Sequence, residues 1–414
     1  MLTDRASQAT FDPLDLRGVT DIDDMLARIR PYGDHAWGRP PYPGLGTTLY
    51  LLGHRPVESA LRCRELVHAP AGGVDARDAD MWSRPALRWL ALTMILADPP
   101  RHGGLRRPLT RFFTVDAARQ LEERYRRAAQ QRAERCSEAG AFDLVRDYAG
   151  PFAVDALAIR MGLPVIDVGW LKTCTARLAR ILDVLSGEDS EALDSADAAI
   201  DEQGSWIDRV VRDRQYQSDG LFATMVAEYE CGNWNRDDLI ANAVFFLFAG
   251  QETVTDAITH AVLALDAAPE QRAGLVERGG DERVVEELLR FAPPVQLLPA
   301  RIASADLYIE GIFVPAGTPV SCMLLSANRD PAVFHKPDTL DLQREPGRAL
   351  SFGVGAHTCI GARLARIELL AAVDTLHGVM PALQVRRAGI DRRPGVAFRG
   401  ITGLPVDAGC ASQR

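Results

Sequence analysis

One cysteine sits in a stretch that leaves the chain around it little freedom. Ser351 to Arg366 reads S-F-G-V-G-A-H-T-C-I-G-A-R-L-A-R, with Cys359 among Gly353, Gly355 and Gly361 and an apolar helical pattern starting near Ile360. Glycines let the backbone turn tightly, take positive φ and approach a flat ligand closely. The N-terminus of the following helix aims free N–H groups and the positive end of its dipole at the sulfur, which favours the thiolate. A thiolate that binds a metal must stay ionised and be shielded from water and oxidants. Phe352 is expected to cover the sulfur side of the loop. The alternative is an ordinary buried cysteine in a glycine-rich turn.

The longest helical pattern runs from Arg236 to Leu265, with Asn235 or Asp237 as its cap, and contains F-A-G-Q-E-T-V-T, Phe248 to Thr255. A mid-helix glycine costs roughly 1 kcal/mol against alanine, so Gly250 needs a reason. With Ala249 it is expected to leave room above a ligand face. Thr253 can donate to the carbonyl four residues back, at Ala249, and loosen the helix locally. Glu252 stands beside it. The alternative here is a buried threonine in a core helix with Glu252 on the exposed side.

Pro293 must end the helix in V-V-E-E-L-L-R-F-A-P-P. Glu287 and Arg290 lie one turn apart there; on a surface such a pair contributes a few tenths of a kcal/mol, but Leu288, Leu289 and Phe291 surround it. His102 and Arg106, in D-P-P-R-H-G-G-L-R, share a helix face.

Phe352, Gly353, Gly355, His357, Cys359 and Gly361 fill every fixed place of F-G-x-G-x-[HR]-x-C-x-G. This resembles the haem-binding loop of the cytochrome P450 family, and a chance match in a chain this long is on the order of one in 10⁵. Ala249 to Thr253 resembles the family's oxygen-activation motif, [AG]-G-x-[DE]-T, with Val254 where a second Thr or Ser is frequent. The E-x-x-R of Glu287 and Arg290 is similar to the family's buried ion pair, completed by Arg344 in P-D-T-L-D-L-Q-R. The resemblance implies haem b (iron protoporphyrin IX) ligated by Cys359, the metal ligand, with Ala249 and Gly250 over its face. It implies propionates held by His102, Arg106, Arg301 and His357. Thr253 and Glu252 become the catalytic pair, the first acting through its hydroxyl and the second relaying protons from solvent.

The same resemblance makes Val165–Leu185 and Ser195–Arg214 a lid over the substrate. It points to a pocket of Trp82, Trp89, Leu182, Phe245, Phe248, Leu297, Leu298 and Phe398, all apolar or aromatic, hence a hydrophobic small-molecule substrate. It covers about Asp21 to Val406, so 1–414 is expected to be a single domain despite its length. The fold class is mainly α with a small β-rich part (α+β), the haem lying between the long central helix and the Cys loop.

The net charge of −9 argues against nucleic acid. No apolar run is long enough to cross a membrane. Met1 to Asp15 has no leader-like pattern. Seven dispersed cysteines fit a reducing cytoplasm. Lysine occurs only at 172 and 336, which reads as GC-rich bacterial codon usage and turns the expectation toward tailoring of a secondary metabolite. No flavin or dinucleotide fingerprint is present, so electrons are expected from a ferredoxin and ferredoxin reductase. Arg107, Arg111, Arg363 and Arg366 would form a basic patch for the acidic ferredoxin. The expected reaction is O2-dependent monooxygenation. The alternatives are an atypical oxidation (coupling, desaturation), a peroxide-driven peroxygenase and a non-catalytic haem sensor or binding protein.

Overall fold

A computed structural model describes residues 10–42, 45–68, 84–183, 190–277 and 281–409. Its axis is the helix Arg236–Ala267, 32 residues long, roughly 48 Å at 1.5 Å per residue. Asn235 caps it: its side chain takes the Asp238 N–H, and Asp238 takes the Asn235 N–H in return. Asp237 instead pairs with Arg88 at 2.6 Å. The helix is buried almost all round, as a helix without a polar face must be, and it contributes to two apolar cores. Val244, Leu247 and Phe248 join Leu178, Leu297 and Phe398 in one. Val254, Ile258 and Val262 join Tyr148, Leu288 and Leu364 in the other.

The helices Gly150–Met161, Val168–Ile181 and Ala362–Val379 pack against this axis. The amphipathic stretch expected over Ala117–Leu163 divides into Val115–Ala139 and Gly150–Met161. Between them lie a short strand and a widened turn, Leu144–Ala149. Pro151 has no N–H to offer the Asp147 carbonyl, and the Cys136 thiol donates to that oxygen at 3.6 Å. The expected lid pair is Val168–Ile181 and Ser190–Arg212. Asp183, just beyond the first of these, accepts the backbone N–H groups of Val396 and Ala397 at 2.9 and 3.0 Å. A Cβ at Gly395 would lie 2.2 Å from the Asp183 carboxylate, so only glycine fits there.

Strands are few. The largest sheet among the described residues orders His35–Gly38, Thr48–Leu51, Pro319–Cys322, Arg301–Ala303 and Leu66–Val67. Thr48–Leu51 and Pro319–Cys322 pair in parallel, and the other neighbours are antiparallel. This sheet brings Arg301 beside His68, the residue after the edge strand.

Glu287, Arg290 and Arg344 meet. Arg290 Nε lies 2.7 Å and Arg344 Nε 3.0 Å from the same Glu287 oxygen, with Glu287 and Arg290 almost fully buried. Arg290 also donates to the Asn328 carbonyl at 2.9 Å. The Asn328 side chain in turn takes the Leu350 N–H at 2.7 Å and donates to Ser351 Oγ at 3.0 Å. The ion network therefore reaches the start of the Cys359 loop through one asparagine, a residue that no sequence pattern singles out.

Removing one partner from a buried ion pair costs about 3–5 kcal/mol, because the remaining charge is left uncompensated. Glu287→Ala, which strands two guanidinium groups, is expected to lose at least that much in denaturant unfolding. Arg344→Ala, removing the partner nearest solvent, is expected to lose clearly less.

Candidate functional site

The Cys359 loop is built by local hydrogen bonds. Gly353 and Gly355 take φ of 62° and 84°, where other residues are strained. A Cβ on Gly355 would also lie 2.6 Å from the Leu61 carbonyl. Cys359 N–H donates to the Phe352 carbonyl at 2.9 Å, closing the loop. The Phe352 ring lies under the Arg366 guanidinium at 4.4 Å. The following helix begins at Ala362 with Gly361 as its cap, slightly later than the apolar pattern suggests.

Cys359 as a residue is exposed, while burial by the surrounding protein raises its thiol pKa. Both hold if it looks onto an enclosed cleft. The Gly361 N–H and the Arg106, Arg160 and Arg366 guanidinium groups pull the other way, toward the thiolate.

Beside it the structure gathers positive groups. Arg106 Nη2 donates to the Thr358 carbonyl at 2.7 Å. The His102 and His357 rings lie 4.2 Å apart, and His68 meets His357 edge-on at 4.7 Å. Among the described residues the Arg301 side chain has one long hydrogen bond, 3.5 Å, to the Leu61 carbonyl. His102 Nε2 and both ring nitrogens of His68 are buried without a hydrogen-bond partner. Burial and Arg301 push His357 down to about 3. Burial, then Arg106 and Arg301, lower His102. Burial, then Arg301, lowers His68 well below the usual histidine range. Asp98 is a nearby carboxylate: it takes the His68 N–H at 3.2 Å and acts on Arg301. Two guanidinium groups share this place with one carboxylate, Asp98, and buried imidazole nitrogens stand without partners among the described residues, so the cluster has donors to spare for a further anion. A group carrying two carboxylates and a thiolate-seeking metal fits these donors. His68 escapes sequence reasoning because it lies outside every motif; only the sheet register brings it beside Arg301.

On the central helix the half-exposed positions after its first turns are Phe245, Ala249, Gly250, Thr253, Leu263 and Asp266. Phe245, Ala249 and Thr253 lie at four-residue spacing and form one partly exposed stripe. Thr253 Oγ1 donates to the Ala249 carbonyl at 2.6 Å. The room Gly250 leaves is taken by protein rather than by a ligand face: a Cβ there would lie 2.3 Å from Arg160 Nη2 and 2.8 Å from Leu157 Cδ1. Arg160 is held in that space by Glu368 at 2.8 Å, both buried.

Glu252 is only 6% exposed, which removes the alternative that it sits on an exposed face, and also its expected direct opening to solvent. It accepts from Thr175 Oγ1 at 2.8 Å and from Arg393 Nη2 at 3.0 Å. Neither partner is signalled by a motif, since one comes from the helix Val168–Ile181 and the other from the C-terminal hairpin of Asp391–Arg392 and Ile401–Gly403.

The pocket residues divide. Trp82 lies outside the described residues. Trp89 is a core residue whose indole N–H donates to the Ala241 carbonyl at 2.9 Å. Leu182, Phe248, Leu297 and Phe398 are buried as well, Phe248 and Phe398 meeting edge-on at 5.7 Å. Phe245 and Leu298 keep open surface. A cavity of about 420 Å³ lies away from the thiolate, where Trp89, Ile200 and Ile240 form its apolar wall. The expected basic patch is partly neutralised. Arg366 pairs with Glu286, and Arg363 lies 3.9 Å from Glu282. Arg107 and Arg111 remain exposed.

A family model described as cytochrome P450 matches residues 282–376, which include the ion triad and the Cys359 loop. The vitamin D(3) 25-hydroxylase of Pseudonocardia autotrophica is 33% identical over 76% of this chain and 78% of its own length. A putative cytochrome P450, 133B1, of Xylella fastidiosa is 30% identical over 94% of this chain and 98% of its own. Among solved structures, a cytochrome P450 enzyme for C–S bond formation in chuangxinmycin biosynthesis superposes with a TM-score of 0.83 at 25% identity, over 93% of this chain and 94% of that one. With its mainly helical architecture, its Cys359 loop and relatives matched over most of their length, the chain belongs to the cytochrome P450 family of haem-dependent oxidoreductases.

Proposed function

We propose that this protein is a haem-thiolate monooxygenase that places one oxygen atom of O2 into a hydrophobic small molecule, most simply a secondary-metabolite intermediate. The cofactor on this reading is haem b, Cys359 is its metal ligand, and residues 1–414 act as one domain. The observation that carries it is the glycine-turned Cys359 loop set beside Arg106, Arg301 and buried His68 and His102 ring nitrogens that have no hydrogen-bond partner among the described residues. When bound, the haem supplies the oxidising chemistry, with thiolate donation favouring O–O cleavage.

The chain's own residues have separate tasks. Against burial, which raises the thiol pKa, the Gly361 N–H and three arginines favour negative charge on the sulfur. His102, Arg106, Arg301 and His357, joined by His68, give charge-assisted hydrogen bonds to two carboxylates. Phe245, Ala249 and Leu298 present apolar surface and exclude water. The Thr253 hydroxyl, parked on the Ala249 carbonyl, is a donor that would be free to serve the reacting side if it turned from that bond. Glu252 holds or passes a proton, and its buried ties to Thr175 and Arg393 must loosen for it to do so.

Electrons on this reading come from a ferredoxin and its reductase, docking near exposed Arg107 and Arg111. Among the described residues no helix is long and apolar enough to cross a membrane, and their six cysteines are free, which supports a cytoplasmic setting. The C–S bond-forming neighbour favours a second reading, an oxidation that joins or desaturates the substrate without adding oxygen.

NADH consumption with ferredoxin and reductase, set against hydrogen peroxide alone, tests the donor; product mass under labelled O2 tests oxygen insertion. Product formed with peroxide but not with ferredoxin would replace the reading by a peroxygenase. Thr253→Ala is expected to keep NADH consumption while most reducing equivalents go to peroxide, measured as product formed per NADH. His102→Leu and Arg301→Leu each remove a charge-assisted bond worth about 1.5–3 kcal/mol, so haem transfer to an apoglobin is expected to quicken roughly tenfold to a hundredfold.

A further inference from the structure

Glu252 and Asp256 are one helical turn apart and share a face. A single guanidinium serves both: Arg393 Nη2 lies 3.0 Å from Glu252 Oε2 and 3.6 Å from Asp256 Oδ2. The second distance is too long for a hydrogen bond, and Asp256 Oδ2 is buried without a hydrogen-bond partner. The hairpin backbone walls this carboxyl in, since a Cβ on Gly400 would lie 2.8 Å from Asp256 Oδ1 and 2.3 Å from Arg393 Nη2. Asp256 is 2% exposed.

Two carboxylates against one guanidinium leave an uncompensated negative charge in a buried place, and such a group takes up a proton instead. The other charged groups do not change this balance. Arg393 is also drawn by Asp183 from the lid side, which leaves less of it for Asp256. His260, one turn further along, engages the Arg399 carbonyl and is pushed by burial down to about 4, so it carries no charge near neutrality. Glu252 has the closer arginine and the Thr175 hydroxyl; Asp256 has neither at hydrogen-bonding distance.

We propose that Asp256 is the protonated member of this carboxylate pair and the store from which Glu252 is resupplied with protons. Asp256 touches neither substrate nor reacting atoms and is a positioning residue acting through Glu252. When the site draws a proton, the Asp256 carboxyl passes its own to the Glu252 carboxylate, Arg393 swings to the newly charged Asp256, and Glu252 hands that proton on and returns to a carboxylate. Bulk water then reprotonates Asp256, and no electron moves between these groups. Burial and Glu252 push Asp256 up to about 8, against the pull of Arg393. The store is full near neutrality and empties above that range.

The relay rests on the monooxygenase reading; the protonated carboxyl does not. Infrared spectra of the purified holoprotein, recorded through a pH titration, are expected to show a protonated-carboxyl band that bleaches with a midpoint near 8. Asp256→Asn is expected to lack it. A wild-type spectrum with no such band, or the same band in D256N, would overturn the proposal, and aspartate-selective isotope labelling of the wild type decides the matter if D256N does not fold. Because the folded pKa is raised, stability should be full below about pH 4 and decline as pH rises through 8, a slope that D256N flattens. In turnover, D256N should lose the fall in product per NADH centred near pH 8, and Asp256→Glu should restore it. A residue that only clamps the hairpin would lower the melting temperature and leave that profile unmoved, which would also refute the relay. Failure of the protein to bind haem would remove the monooxygenase reading while leaving the infrared outcome to be read separately.

Discussion

A carboxylate buried between two guanidinium groups holds the haem-side scaffold in register. Glu287 meets Arg290 from its own helix and Arg344 from a segment 54 residues beyond Arg290. Its other oxygen also accepts the Asp341 N–H at 2.9 Å. Such a cluster is weak evidence for net stability, because desolvation offsets most of the attraction, but it tolerates few geometries. Arg290 hands that geometry to Asn328, and Asn328 hands it to Leu350 and Ser351. The thiolate loop therefore inherits its position from a charge network that lies outside it.

The central helix separates two kinds of polar chemistry. On the stripe of Phe245, Ala249 and Thr253 it is apolar apart from one hydroxyl, which suits oxygen and a hydrophobic substrate. Around Glu252 and Asp256 it carries buried charge tied to other elements. Adjacent residues on a helix point about 100° apart, so Glu252 and Thr253 are neighbours in sequence yet bond to separate partners. Arg160 adds a buried guanidinium, wedged where Gly250 leaves space and fixed by Glu368.

What the sequence made legible is what local spacing encodes. The Asn235 cap, the Thr253 back-bond to Ala249, the Glu287–Arg290 pair and the tight glycine turns at 353 and 355 follow from one- to four-residue offsets or from residue type. Arg393, Thr175, His68, Asn328 and Glu368 belong to the same surroundings but arrive from remote segments, and no offset announces them. Gly250 shows the limit of local reasoning: the need for a small residue was readable, but which neighbour uses the space was not. The apolar pocket residues were readable as apolar only, and burial then took five of the seven described ones into the core.

The Asp183 carboxylate clasps the main chain of the C-terminal hairpin instead of a side chain, so its grip is indifferent to which residues occupy 396 and 397. Evolution can therefore revise the hairpin's chemistry freely while the handle stays the same. The helix leading to Asp183 and that hairpin are matched parts: a chimera that imports one from a relative without the matching aspartate and its facing glycine would carry a mismatched seam, whereas moving both together keeps the fit.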